Sequence, residues 1–184
     1  RLTDIDHFVL GHGAWVLNKP DELAHITRPR HISIKDGIRL PLLGQDIEVR
    51  VIPGTNRFRW IAQTLVLEAR PDADLGHLAI RALKAHALTH FGQRLSHYTA
   101  QVDHAPPPLR LSAARTRWGS CSRNSGIRIN WRLIHLAPHL GDYVVAHEVA
   151  HLLEMNHSPN FWRIVGNIYP GWKAARAELK TCAA

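Results

Sequence analysis

The sequence has little cysteine and no long apolar run, and each shortage excludes a class of protein. Cys121 and Cys182 are its two cysteines. Two are too few for a disulfide framework, and a reducing compartment is the simpler interpretation. No apolar run approaches the ~20 residues that span a bilayer, since histidine and glutamate interrupt the segment from Tyr143 to Met155. With no signal-peptide core near the N-terminus, we expect a soluble cytoplasmic protein.

Acidic residues are scarce relative to basic ones. The 23 Lys and Arg residues against 15 Asp and Glu give a formal net charge of +8, which favours anionic partners such as nucleotides, nucleic acid or acidic peptides. Hydrophobic residues make up 45% of the chain, enough for a core, and this excludes a disordered tail. Residue 1 is Arg rather than Met, so we expect the natural N-terminus to lie further upstream. None of these properties predicts an oligomeric state.

Hydrophobic periodicity predicts an α+β fold in two halves. The first half, residues 1–104, combines a helix near 3–19, several short strands and a long helix from Ala73 to Tyr98. The strands are predicted at His31–Ile34, Gln45–Ile52 and Arg59–Leu67. Proline occupies every position from Pro106 to Pro108, which excludes a helix or a central strand. We expect this segment to connect the first half to residues 109–184 within one compact unit.

The second half begins with a predicted β-hairpin and ends in helices. Apolar residues alternate with polar ones from Ile127 to Leu133, which is typical of a strand with one buried face. A turn at residues 124–126 would pair this strand with Leu109–Trp118. Pro138 suits the first position of a helix that reaches Met155 and is apolar around most of its circumference. Further helices are predicted from Ser158-Pro159 through Ile168 and from Trp172 to Thr181.

The buried helix carries the motif His-Glu-x-x-His at residues 147–151. His147 and His151 lie one helical turn apart on nearly the same face, so two imidazoles can bind one Zn²⁺ without distorting the helix. Glu148 projects beside them and can take a proton from metal-bound water, whose pKa the ion lowers toward ~7. Burying three such side chains on an apolar helix without a purpose would be costly. The motif therefore predicts a hydrolytic zinc site.

A catalytic zinc usually takes three protein ligands and keeps one open position. Glu154 would have to reach back along a straight helix, so we expect it in a supporting or surface role. His157 comes within reach if the chain reverses after Met155, where Asn156 tolerates the left-handed backbone that ends helices. The spacing equals that of the metzincin pattern, but Glu154 stands where that pattern has glycine. We therefore favour His157 as the third ligand.

The strand end before the hairpin turn has an unusual composition. Trp118, a glycine and small polar residues follow one another there, which suits either a bulged strand packed under the last helices or an edge that faces substrate. In the second case Trp118 would form a wall and Ser120 a hydrogen-bonding group. Asn130 would lie on an edge strand that aligns an extended substrate. Arg117 belongs to a group of hairpin arginines that form either a solvated face or a phosphate-binding strip.

Four stretches of the chain resemble the YgjP-like metallopeptidase domain, a family similar to SprT-like and minimal zincin proteins. They are Trp118–Ser122, Ile129–Leu133, Tyr143–His151 and Asn156–Trp162. The resemblance is close from Arg115 to Trp172 and looser from Leu40 to Gln101. It implies a zincin-like α+β fold, in which a small mixed or antiparallel sheet packs on a buried helix and further helices follow. It also implies zinc at His147, His151 and His157, with Glu148 as the catalytic base.

Three functions are compatible with these residues. The first is a zinc-dependent metallopeptidase with Glu148 as general base. The second is a nucleoside-triphosphate (UTP-type) pyrophosphatase, an activity also assigned within the family, which would use the same metal site, the hairpin arginines and an additional Mg²⁺ for the nucleotide. The third is a non-catalytic, zinc-stabilised nucleic-acid-binding module. The oxyanion of a hydrolytic reaction could be stabilised by Tyr143, His135, Arg117 or Asn130.

Overall fold

The computed structural model describes residues 33–182, and within them the chain is an α+β protein with two small mixed sheets and four α-helices. The helix predicted at residues 3–19 lies outside the described residues. The strands are β1 Arg39–Leu42, β2 Gln45–Pro53, β3 Arg57–Ile61, β4 Thr64–Ala69, β5 Leu109–Ser112, β6 Gly119–Ser122 and β7 Gly126–Asn130. The α-helices are α1 Leu75–Ala100, α2 Pro138–Ala150, α3 Pro159–Ile168 and α4 Trp172–Cys182. None of the helices in the described part combines the length and apolarity needed to cross a membrane.

The chain forms two compact units, and the boundary between them falls within α1, between Leu83 and Lys84. The first unit contains a four-stranded sheet in the order β1-β2-β4-β3. The β1–β2 hairpin turns through Leu43 and Gly44, which both have positive φ, as a tight two-residue turn requires. The middle strands supply fully buried residues such as Val49 and Leu65. The predicted division at Pro106–Pro108 stays a prediction.

Two strands of the first unit differ from the prediction. The single strand expected from Arg59 to Leu67 is a hairpin, because Ala62 adopts positive φ and reverses the chain between β3 and β4. β4 then pairs with β2 in parallel. Residues 33 and 34, the described part of the strand predicted at His31–Ile34, are not in a strand.

The second unit contains a three-stranded sheet in the order β5-β7-β6. The predicted turn at residues 124–126 is present, with Gly126 at φ 78°, but the antiparallel partner of β7 is β6. β5 pairs with β7 in parallel. The expectation of one strand from Leu109 to Trp118 is therefore wrong. The interruption at residues 113–118 has a clear anchor, because the Asn130 side chain donates to the carbonyl oxygen of Ala114 at 2.7 Å.

β7 is shorter than its alternating pattern predicted. The strand ends at Asn130, whose side-chain oxygen accepts a hydrogen bond from the backbone N–H of Arg132 at 3.2 Å. A 3₁₀ helix from Trp131 to His135 follows. Asparagine favours such local caps, which compete with strand pairing.

The helices of the second unit begin where their local signals predict. α2 begins at Pro138 and α3 at Pro159, and the Ser158 side chain accepts from the backbone N–H of Phe161 as an N-cap. α2 ends at Ala150 rather than at Met155, although apolar residues continue, and Leu153 is half exposed. At the other end of the helix, Asp142 of α2 accepts two hydrogen bonds from the Arg94 guanidinium of α1, at 2.5 and 3.1 Å.

Candidate metal centre

The end of α2 and the turn that follows it bring three imidazoles together. His147 lies in the last turn of α2, His151 is its C-terminal cap, and His157 lies just before α3. One possible ligand atom from each of these side chains lies within 4.8 Å of the others. In the part of the chain that the structure describes, it is the one group of three or more histidine, cysteine or carboxylate side chains close enough to share a metal ion.

The chain reversal that brings His157 back is made without left-handed backbone at Asn156, contrary to the prediction. Positive φ occurs elsewhere in the described residues but not at this position. Instead, the Glu154 side chain accepts from the backbone N–H of Asn156 and from the side chain of Asn160, both at 3.4 Å. Glu154 is outside the three-imidazole group and holds the turn, in agreement with the supporting role expected for it.

One pair of ring nitrogens has the spacing expected for two ligands of a tetrahedral cation. The Nε2 atoms of His147 and His157 lie 3.1 Å apart, close to the ~3.3 Å expected for two ligands bound to one zinc at ~2.0–2.1 Å. Nδ1 of His151 bonds to the carbonyl oxygen of Glu154 at 3.1 Å. This bond makes Nδ1 the protonated nitrogen and leaves Nε2 as the ligand atom, an arrangement common around bound metals.

Burial favours the neutral, metal-binding form of two of these imidazoles, those of His147 and His151. Burial and the neighbouring imidazoles of His151 and His157 lower the pKa of His147 to about 3. Burial likewise lowers the pKa of His151. Because a protonated imidazole has no lone pair to give, a pKa below the ordinary value of ~6.5 favours metal binding at neutral pH.

Aromatic rings from α3 and α4 surround the three histidines. The Phe161 ring lies 4.5–4.9 Å from all three imidazole centroids. The Trp162 ring stacks on His157 at 5.7 Å and 23°, and on Trp172 at 4.4 Å and 19°. These contacts restrict the imidazole rotamers before any ligand arrives, which preorganises the site.

Glu148 lies next to His147 on α2 and is only 5% exposed. Burial raises the pKa of Glu148 to about 8, and its Oε2 is buried without a hydrogen-bond partner among the described residues. An unpartnered carboxylate oxygen is costly to bury. A cation at the three imidazoles and the water it brings would offset this cost, so the residues present fit a metal ion.

Gly119 is a residue of the site that the sequence did not reveal. A Cβ built on this residue would approach Cδ and Cγ of Glu148 to 2.8 Å, which is closer than real Cβ atoms come to a neighbour. The β6 backbone therefore lies directly against the Glu148 carboxyl group. The glycine before Ser120 was visible in the sequence, but a contact between residues so far apart in the chain was not.

The residues predicted to contact substrate fall into different environments. Ser120 follows Gly119 on the edge strand β6, so its side chain points to the opposite face of the sheet from Glu148. Cys121, two residues after Gly119, lies on the face of the sheet that meets Glu148. Burial and the Glu148 charge raise the pKa of its thiol to about 11. A thiol with so high a pKa is a poor nucleophile. Trp118 is half-buried and Arg117 is exposed.

Asn130 lies at the end of β7, the middle strand of its sheet, and is 3% exposed. The expectation of an edge strand at Asn130 is wrong, and the edge beside Glu148 is β6. The Asn130 amide donates to the carbonyl oxygens of Ala114 and Arg117 at 2.7 and 3.3 Å. These bonds shape the 113–118 loop and occupy the side chain.

Two further side chains stand near the imidazoles. The Tyr143 and His147 rings pack edge to face, with their centroids 5.9 Å apart. Burial raises the pKa of the Tyr143 hydroxyl. Arg176 of α4 places its guanidinium 4.7 Å from the Trp162 ring centroid, and its charge contributes to the lowered pKa of His147. Tyr143 was among the predicted oxyanion candidates, whereas Arg176 was not singled out by the sequence.

Three imidazoles beside a buried carboxylate on an α+β scaffold are typical of metal-dependent hydrolases. A family model described as YgjP-like, metallopeptidase domain matches residues 1–182. The chain belongs to this metallopeptidase family. Among solved structures it is similar to the metallopeptidase zymogen of Pyrococcus abyssi abylysin, with 24% identity over 50% of this chain and 92% of that chain, and a TM-score of 0.46. No curated protein matches the chain.

Proposed function

We propose that the chain is a zinc-dependent metallopeptidase with a zincin-like fold. His147, His151 and His157 would hold the ion, and Glu148 would act as general base. The observation that carries this proposal is the convergence of three imidazoles beside a buried carboxyl group whose Oε2 has no partner within residues 33–182. Zinc is favoured over other divalent metals because a three-histidine set with an open position is the donor set of catalytic zinc sites.

Glu148 is suited to proton transfer during peptide hydrolysis. When bound, the metal ion supplies a Lewis acid that polarises the scissile carbonyl and makes a water molecule more acidic. Glu148 takes the proton of the attacking water and passes it to the leaving amine. Burial raises the pKa of Glu148 to about 8, and a cation at the imidazoles would lower it again toward the neutral range, which suits a group that must both accept and release a proton. Because Gly119 has no Cβ, the carboxyl group can lie against the β6 backbone.

The edge of β6 beside Glu148 is the proposed binding place for an extended peptide. β6 is an edge strand, so one side of its backbone is free of pairing within its sheet, and an extended peptide can add to such an edge. Trp118 and Arg117 lie just before β6, where their side chains would contact the bound peptide. Tyr143, with its hydroxyl protonated at neutral pH, is the favoured donor to the oxyanion because its ring contacts His147.

The test is the cleavage of casein by the zinc-loaded protein and by its Glu148→Gln variant. The amide keeps the size of the side chain but cannot accept the proton, so we expect a loss of about 10²–10⁴-fold in kcat with the zinc content unchanged. Glu154→Gln is the matched control, because its carboxylate bonds to the turn and it should retain zinc and most activity.

Incubation with UTP and Mg²⁺ addresses the pyrophosphatase alternative. Release of UMP and diphosphate, lost in Glu148→Gln, would overturn the peptidase proposal. DNA binding that falls steeply with salt and survives Glu148→Gln, without any hydrolysis, would instead support the nucleic-acid-binding module.

A further inference from the structure

We propose that Arg176 forms a carboxylate-binding subsite beside the metal centre, so that the enzyme prefers peptides presenting a carboxylate next to the scissile bond. The carboxylate would come either from an acidic side chain or from the C-terminus of the peptide. This inference rests on the proposed peptidase function and adds the chemical class of its substrate.

The position of Arg176 is defined by an aromatic stack. Its guanidinium lies 4.7 Å from the Trp162 ring centroid, and the same indole contacts His157 and His147, both at 5.7 Å between ring centroids. The guanidinium and the two imidazoles therefore contact the same ring. Stacking on an indole also restricts the long side chain and keeps its hydrogen-bond donors available at the rim.

The charge of Arg176 is not neutralised by a carboxylate of the residues that the structure describes. No Asp or Glu among the described residues forms an ion pair with it. Glu178, the acidic residue of α4, lies two positions further along the helix and is bonded to His139 at 2.7 Å.

An exposed arginine that forms no ion pair within residues 33–182 can take up an anion near the cation site. Two positive charges repel each other and weaken metal binding, and the repulsion is relieved when a carboxylate is placed between them or alongside them. A guanidinium matches a carboxylate with two parallel hydrogen bonds, which gives orientation as well as affinity. Arg176 is also exposed, so an arriving peptide can reach it without a rearrangement of the fold.

The experiment uses four quenched fluorescent alanine-rich peptides of one sequence. Two carry a single Glu and two carry Gln in its place, and each pair has a free or an amidated C-terminus. For the zinc-loaded wild type we expect kcat/KM to be about ten- to a hundredfold higher for one carboxylate form than for its neutral counterpart, as charge-assisted hydrogen bonds provide. The pair that shows the difference identifies the source of the carboxylate.

Arg176→Ala should bring this ratio close to one, and Arg176→Lys should retain part of it. Lys173→Ala is the matched control, because Lys173 is an exposed cation on the same helix and lies 5.6 Å from the Trp172 ring. It should leave both the ratio and the activity unchanged. Binding of the same peptides to Glu148→Gln, followed by tryptophan fluorescence, should show the same preference in Kd, and Arg176→Ala added to that background should remove it.

Failure of the inference is distinct from failure of the proposed function. If the wild type cleaves none of the peptides and no casein, the peptidase proposal fails. If it cleaves all four peptides equally, or if Arg176→Ala keeps the preference, the carboxylate subsite is refuted. A uniform loss over all four peptides in Arg176→Ala would also refute it, because a merely structural role predicts that result.

Discussion

The first compact unit and the candidate metal centre of the second unit differ in how their polar and charged groups are partnered. In the first unit, Glu68 of β4 is bonded to Arg59 of the neighbouring strand, and Asp36 pairs with Arg50 at 3.1 Å in an exposed position. In the second unit, Glu148 is buried and its Oε2 has no partner, and Nδ1 of His147 is also buried and unpartnered among the described residues. Proteins leave such groups unsatisfied chiefly at functional sites. The contrast fits the proposed function, in which the unpartnered groups of the second unit would meet a metal ion and its water.

The largest expected effect is at the metal ligands. His157→Ala removes one of three imidazoles, and we expect zinc to fall from one equivalent to a small fraction and peptidase activity to disappear. Metal analysis after dialysis measures the loss. His86→Ala is the control, since His86 is a half-buried histidine of α1 outside the three-imidazole group. Full zinc binding by His157→Ala would remove His157 from the ligand set.

The next largest effect is expected at the contact between β6 and α2. In Gly119→Ala the new methyl group displaces the Glu148 carboxyl group, and a misplacement of ~1 Å at a catalytic group can cost ~10²-fold in kcat. Zinc content should stay the same, since Glu148 lies outside the three-imidazole group. Gly92→Ala is the control, because nothing lies within 4 Å of its new Cβ and alanine favours the helix. Unchanged kcat in Gly119→Ala would show that the base does not depend on this contact.

A smaller effect, on stability alone, is expected for a substitution in the core of the first unit. Ile47 of β2 is 3% exposed, and Ile47→Val should lower the free energy of unfolding by about 0.5–1.5 kcal/mol. The kcat of the folded protein and its zinc content should not change. Chemical denaturation together with a peptidase assay checks both expectations. A loss of kcat at full folding would break the separation of scaffold and site.

The smallest effect is a pH dependence at His90. Burial lowers the pKa of His90, opposed by Asp142 and aided by the charges of His86 and Arg94. Because the unfolded chain takes up the proton below ~6.5 while the folded chain resists it, His90 destabilises the fold as the pH falls through that value. The wild type should therefore lose more stability than His90→Leu between neutral pH and pH ~5, measured by thermal denaturation. If the stability of the wild type and of His90→Leu fell equally with pH, the lowered pKa of His90 would be contradicted.

The features that could be predicted from the sequence are local in the chain. Pro138 and the Ser158-Pro159 pair mark helix starts through backbone chemistry within one turn. The spacing of His147 and His151 fixes their common face on any α-helix. The return of His157 was also predictable in outline, because a helix had to begin at Pro159. The turn itself was mispredicted, since it depends on the Glu154 side chain.

The features that were missed are contacts between distant segments. The parallel pairing of β5 with β7 and the approach of Gly119 to Glu148 join residues that no periodicity relates. The contact between Arg176 and Trp162 was missed as well. In the sequence, Arg176 is an ordinary polar residue of an amphipathic helix. The end of α2 was mispredicted for a related reason. Apolar residues continue after Ala150, but the chain turns there and brings His157 back.

X-ray absorption spectroscopy at the zinc edge of the purified protein tests the central claim most directly. The account predicts one equivalent of zinc bound by three imidazole nitrogens at ~2.0–2.1 Å, with a first shell that is the same in Glu148→Gln and loses one imidazole in His157→Ala. A first shell containing the Glu148 carboxylate, or one that keeps all its imidazoles in His157→Ala, would contradict it.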